Sequence, residues 1–158
     1  MVPAKFGKRA AGMLAGLVLI ASAPNGAPAV ARDMGQKMSQ AAFKRTMLMG
    51  SNYTVVRKLN DAVEGGNFAN AGKAAQKLAA NARALAGLWP AGSGGAATAA
   101  RPLVWRNMDG FKAALAIFQK APDSAATAAA AQDIAALRKA AAKTKQSCDS
   151  CHRTYRRF

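Results

Sequence analysis

Five residues near the C-terminus, Cys148-Asp149-Ser150-Cys151-His152, constrain this chain more than any other feature. Two cysteines and a histidine in the order C-x-x-C-H form the pattern used for covalent attachment of c-type haem. Residues three and four apart share one face of a helix, so Cys148, Cys151 and His152 would all project the same way. The two thiols can then add to the two vinyl groups along one haem edge, and the imidazole can ligate the iron. The sequence holds two cysteines and one histidine in total, and this pattern uses all three.

Three other chemistries use part of this set. A C-x-x-C redox dithiol normally follows a strand in a βαβ unit, whereas an alanine-rich helical run precedes Cys148. A structural zinc site needs four ligands, and only a carboxylate such as Asp149 could complete one here. A plain disulfide would leave His152 without a role. Haem attachment accounts for all three side chains.

Residues 1–31 read as an export leader. Lys5, Lys8 and Arg9 form a positive start, Ala10 to Ala23 an apolar middle, and Ala29-Val30-Ala31 a small-residue cleavage site. The apolar middle is 14 residues, short of the ~20 that span a bilayer. Cleavage after Ala31 would leave residues 32–158, a length suited to one domain with one core. The expected location is the periplasm, where the dithiol must also escape oxidation to a disulfide. Of the 23 Lys and Arg, three lie in the leader, so 20 cations face seven acids, a net +13. Two ionised haem propionates would lower this to about +11. Such a charge steers a protein toward acidic surfaces. The cations are scattered and no nucleic-acid motif accompanies them, so the expected partner is a redox protein with an acidic docking face, with no specific nucleic acid.

Beyond the leader the pattern is helical. Met38, Ala41/Ala42, Arg45, Leu48/Met49, Asn52, Val55/Val56, Leu59 and Val63 recur at three- and four-residue steps. Asp33 is placed to cap this first helix and Gly65-Gly66 to end it. Asn67 can cap a second helix carrying Phe68, Ala71, Ala75, Leu78, Ala82 and Leu85. A Gly/Pro/Ser-rich connection follows from Trp89 to Gly95. Pro102 suits the first turn of a third helix with Leu103, Val104, Met108, Phe111, Leu115 and Phe118. Pro122-Asp123-Ser124 would break and recap the chain before a fourth helix through Ile134, Leu137 and Thr144 into the haem motif. This is the pattern of an all-α, antiparallel up-down four-helix bundle, with the haem between the helices. Alanine favours helix but supplies little apolar area per residue. A buried haem would repair that deficit, so the haem-free chain is expected to fold poorly.

At this point the sequence resembles the class II cytochromes c, the family of cytochromes c′ and their c-556-like relatives. The similarity covers nearly all of residues 34–158. The run from Cys148 to Arg156 is similar to the family's C-x-x-C-H-x-x-Y-R ending, Leu88-Trp89-Pro90-Ala91-Gly92-Ser93 to its aromatic-Pro-x-Gly loop, and Arg101-Pro102-Leu103-Val104-Trp105 to its Lys-Pro-x-Ile-Trp helix opening. The resemblance implies a four-helix haem domain over residues 32–158 and one covalent haem c. Its register, set from Gly65 and Arg45, places Met49 at the position facing the iron. In c-556-like members a methionine there is the sixth ligand, whereas in cytochromes c′ the iron stays five-coordinate under a bulky residue.

Met49 is therefore the candidate distal ligand and His152 the proximal one. Met47 lies about 200° from Met49 around a helix and cannot face the same haem. Met38 would share that face but lies about 16 Å away along the axis. Arg45 and Arg156 are candidate propionate contacts, because guanidinium suits carboxylates. Trp105 and Tyr155 read as haem-side packing and Trp89 as filler at the bundle end. The cluster Arg153, Arg156 and Arg157 reads as part of a docking surface or as a flexible charged tail.

The leading functional expectation is one-electron transfer by a low-spin His/Met haem, an electron carrier and not an enzyme. Thioether ligation favours Fe(II) and raises the potential. The alternative is a five-coordinate cytochrome c′ that binds NO or CO. A third reading is a structural bundle closed by a disulfide. Members of this family often pair through their first two helices, and Ala71, Ala75 and Ala79 would permit such a homodimer.

Overall fold

The computed structural model describes residues 38–158, so the leader and Asp33 lie outside the described residues. Four long helices and one short one make up this part: α1 Gln40–Glu64, α2 Phe68–Leu85, α3 Leu103–Arg106, α4 Met108–Ala130 and α5 Ile134–Tyr155. The four long helices form a bundle. Met38 and Ser39 precede α1 in non-helical backbone, so the expected helix from Asp33 does not run through them. Ser39 caps α1 instead, its Oγ accepting from the Ala42 N–H. Met38 consequently shares no helical face with Met49.

The α1–α2 joint is built as the glycines suggest. Gly66 takes φ +64° and donates to the Val63 carbonyl, while the Asn67 N–H reaches back to Ala62 at 2.8 Å. These bonds satisfy carbonyls that the helix end would leave free. The Asn67 side chain then accepts from the Asn70 N–H and caps α2. One residue closes one helix and opens the next.

The same joint recurs between α4 and α5, nine residues beyond the expected break. Pro122 does not interrupt α4, which continues to Ala130. A proline inside a helix costs about 3 kcal/mol, but this ring is fully buried, and its alanine-rich flanks favour helix throughout. The turn falls at Gln132, whose φ of +54° lets Gln132 and Asp133 donate to Ala129 and Ala128. Asp133 then caps α5 by accepting from the Ala136 N–H at 2.9 Å.

The expected third helix is also divided. Asn107, at φ −131° and ψ 62°, separates α3 from α4 and turns its Oδ1 onto the Gly110 N–H. A Cβ on Gly110 would meet the Asn107 amide at 2.6 Å, so the cap needs glycine there. Pro102 sits at the N-cap of α3, one position before the first turn where it was expected.

Two core clusters divide the bundle along its length. One end is built from alanine, with Leu59, Val63, Leu78 and Leu137 among Ala71, Ala74, Ala75, Ala125, Ala140 and Ala141. The other end holds Leu85, Val104, Phe111, Leu115, Phe118 and Tyr155. Ala71, Ala75 and Ala79, read as a face for a second copy, are at most 1% exposed and belong to the chain's own core. Helix α2 packs on α1 and α4, and α4 on α5, whereas α1 and α5 touch least of the neighbouring long helices. The bundle is loosest along that edge.

Candidate haem site

Cys148, Cys151 and His152 lie on the last two turns of α5, each half-buried. No disulfide joins the two cysteines. They pack on the aromatic cluster at the second end, as do Leu48 and Met49 of α1. The two helices that meet least thus direct the thiols and the candidate distal methionine to one apolar patch.

The electrostatics keep these three side chains uncharged. Burial, and then the neighbouring Cys148, pushes the Cys151 thiol up to about 11. Burial and then Asp149 also raise Cys148, against weaker lowering from a Ser147 hydrogen bond and Lys145. Thiols held protonated oxidise slowly, because the thiolate is the reactive form. His152 is shifted the other way, lowered by burial and then by Arg156, with Asp149 opposing. Its imidazole is neutral at pH 7 and keeps a nitrogen lone pair for a metal. The ring makes no hydrogen bond among the described residues; the His152 carbonyl accepts from the Arg156 N–H. Asp149 pairs with Lys145 at 2.7 Å on the exposed side of α5.

Arg45 occupies an unexpected environment. It is 4% exposed. One guanidinium nitrogen donates to the Leu88 carbonyl and, at 2.9 Å, to Ser93 Oγ, and the other donates to the Ser93 carbonyl. Its Cζ lies 4.5 Å from the centroid of the Trp89 ring and 5.8 Å from that of Trp105. The side chain fastens the loop after α2 to α1. Among the described residues no carboxylate pairs with it, and burial lowers its pKa.

Trp89 packs edge-on against Phe111 at 4.4 Å, and Phe111 in turn meets Tyr155 at 5.1 Å. This chain of rings links the loop to α5 beside the thiols. Trp105 donates from its indole to the Pro90 carbonyl at 3.0 Å, but the Trp89 Nε1 is buried without a partner among the described residues. Arg156 is exposed, its guanidinium over the Phe158 ring. Arg157 donates to the carbonyls of Gly95 and Thr98, and its N–H pairs with the Ala99 carbonyl. The C-terminal cations therefore belong to a strapped segment and not to a loose tail. Arg153 is exposed and bonds Ser150 within α5.

These residues fit a covalent haem. Two cysteines one helical turn apart and a neutral imidazole share a face. A buried guanidinium lacks a counter-ion, a buried indole N–H lacks an acceptor, and the patch between them is aromatic. Sequence reasoning missed the clamp on Ser93, which is 2% exposed, because Arg45 and Ser93 stand 48 residues apart. It also missed the buried pair Asn52 and Asn81, although Asn52 stands out as an amide between the apolar residues Leu48, Met49, Val55 and Val56.

The family model described as Cytochrome C′ matches residues 36–156. A cytochrome c′ from Pararhodospirillum photometricum is 38% identical over 89 residues, which is 56% of this chain and 71% of that protein. Among solved structures, a nitric oxide complex of a cytochrome c prime variant from Alcaligenes xylosoxidans shares the fold, with a TM-score of 0.70 at 24% identity over 77% of this chain and 97% of that one. A cytochrome c′ described as having an unusual ligand-controlled dimer dissociation also matches, with a TM-score of 0.70 at 24% identity over 78% and 99% of the two chains. The chain belongs to the cytochrome c′ family and is a c-type haem protein.

Proposed function

We propose that this chain carries one haem c, bonded through Cys148 and Cys151 and ligated by His152, and binds NO or CO on the side that Met49 covers. The observation that carries this reading is the packing of Met49 from α1 with Cys148 and Cys151 from α5 on one cluster, where the two helices meet least. When bound, the haem supplies an iron centre that takes up a small gas or an electron. The chain's own residues do the rest. The cysteines hold the group covalently, and uncharged His152 offers a ring nitrogen. Leu48 and Met49 keep water from the opposite side and set the room left for a ligand. Arg45, Arg156 and the Trp89 N–H would contact the propionates, which supply the anionic partner that buried Arg45 lacks. Such a protein carries haem and gas and turns over no substrate.

The relatives support this over permanent methionine ligation. They are cytochromes c′, and one matched structure is a nitric oxide complex. The second reading, low-spin electron transfer with Met49 bound, is favoured by the half-buried thioether itself, since sulfur is an effective haem ligand. Optical spectra of the exported protein decide between them. The expected result is a high-spin spectrum that takes up CO readily and changes little in Met49→Ala. A low-spin spectrum with a sulfur-to-iron band that vanishes in Met49→Ala would establish the second reading.

The periplasm is the proposed location, from the leader-like residues 1–31. No helix among the described residues is long and apolar enough to cross a membrane. The positive charge suits an acidic redox partner. A homodimer would use the outer face of α1, where Phe43 and Met47 are 56% and 61% exposed.

A further inference from the structure

Asn52 is a buried amide in the stripe of α1 that otherwise carries Leu48, Met49, Val55, Val56 and Leu59. It is 7% exposed and its partner on α2, Asn81, is 3% exposed. Asn81 Nδ2 donates to Asn52 Oδ1 at 2.8 Å and to Ser51 Oγ at 3.1 Å. The carbonyl end of Asn52 is thereby fixed. The two ends of an amide diverge, so its Nδ2 is turned away from Asn81, and there it is buried with no hydrogen-bond partner among the described residues. A buried donor left unpaired lowers stability, and leucine or methionine would fill the same volume without that cost.

The position of this amide gives the cost a purpose. Asn52 follows Met49 by three residues and Leu48 by four, so it shares their face, about 4.5 Å further along the axis. On α1, Leu48 and Met49 pack on the cluster that holds the thiols, and Val55 and Val56 pack on the alanine-rich one. On α2, Ala82 and Leu85 belong to the first cluster and Leu78 to the second. The amide pair therefore stands at the boundary between the two cores, at the inner limit of the patch under Met49.

We propose that Asn52 Nδ2 is a hydrogen-bond donor to the outer atom of a small ligand held on the Met49 side, with Asn81 fixing the amide in the donating orientation. This rests on the gas-binding reading above. A donor there favours ligands whose outer atom carries negative charge. It makes the pocket selective by polarity as well as by size.

The test is the infrared stretch of CO on the reduced holoprotein, with Asn52→Leu as the variant, in wild-type and Met49→Ala backgrounds. A donor lowers the C–O stretch. Asn52→Leu should raise it and speed CO loss about two- to tenfold, the worth of one hydrogen bond. An unchanged stretch, or a lower one in the variant, would overturn the proposal and leave Asn52 as a tie between α1 and α2. If Asn52→Leu does not fold, Asn81→Ser keeps the donor but frees its orientation, and should split the single band in two; a single unshifted band would count against the idea. The Met49→Ala background separates the two failures. Wild type refusing CO refutes the gas-binding reading, while Asn52→Leu without effect in the opened background refutes the donor.

Discussion

Replacing Arg45 by methionine removes the fork that ties the loop after α2 to α1. The change keeps the stem but leaves the Leu88 and Ser93 carbonyls without their donors; Ser93 Oγ retains its bond to the Pro90 carbonyl. A buried acceptor without a partner costs about 1–3 kcal/mol, so two cost about 2–6 kcal/mol. Loss of the stack on Trp89 at 4.5 Å adds about 0.5–2 kcal/mol. Relief from burying a cation offsets part of this, by several kcal/mol in the limit of full burial. The net expectation is a loss of about 3 kcal/mol. With a urea slope of about 2 kcal/mol/M, the unfolding midpoint of the holoprotein should fall by about 1.5 M at unchanged slope. Arg45→Lys is the discriminating control. An ammonium keeps the charge for a propionate but cannot serve both carbonyls and lie flat on Trp89. Arg45→Lys should therefore lose at least half as much stability as Arg45→Met. A lysine variant as stable as wild type would refute the clamp and leave charge alone as the role of Arg45.

Other perturbations report on other parts of the fold. Cys148→Ser with Cys151→Ser should abolish covalent haem, seen as loss of haem-stained protein on a denaturing gel, and should replace the cooperative melt by circular dichroism with a broad, non-cooperative one. Gln132→Gly relieves a left-handed residue at φ +54°, and should stabilise by about 1 kcal/mol, a melting temperature higher by a few °C. Acidification should break the His152–iron bond while the thioethers keep the haem. Because a proton must compete with the iron for the ring nitrogen, the bond should persist at the ordinary histidine pKa of about 6.5 and be lost only below it. An optical titration with its midpoint at or above that value would show that His152 does not hold the iron.

Much of this was legible from local patterns, and the limits were local too. The C-x-x-C-H pattern lies within one helical turn and a half, so spacing alone gave its shared face. Gly66 and Asn67 were readable because a left-handed residue and an amide cap act within four positions. The same chemistry at Gln132-Asp133 was passed over, because Gln is a rare choice for that backbone and Pro122 is a stronger apparent stop. Burial of the Pro122 ring overrode the propensity, and burial is a tertiary property. Asn107 cut a periodic apolar pattern without disturbing its period. The Arg45 environment had no local signature, since a guanidinium in an apolar stripe reads equally as a surface charge or as a propionate contact. Its partners are a loop that the sequence showed only as a connection.

The location of His152 poses a problem that the C-terminal strap resolves. The residue stands on the last turn of α5, where helices fray because their final carbonyls lack partners. A side chain that would hold a metal could not keep a fixed position on a fraying turn. Here the Tyr155 carbonyl accepts from the Arg101 N–H at 2.8 Å, and the Arg157 N–H donates to Ala99 at 2.7 Å, so Ala99–Arg101 and the residues after α5 pair across an isolated bridge. Buried Tyr155 adds an edge-on contact to Phe111. The segment fixed on the far side of that bridge leads through Pro102 into α3 and is continuous with the loop that Arg45 clamps to α1. The helix bearing the thiols and imidazole and the helix bearing Met49 touch little directly. Their relative position is set instead through this loop, by Arg45 at one end and the bridge at the other. The α1–α5 edge can thus stay loose enough for a prosthetic group while both of its walls remain anchored.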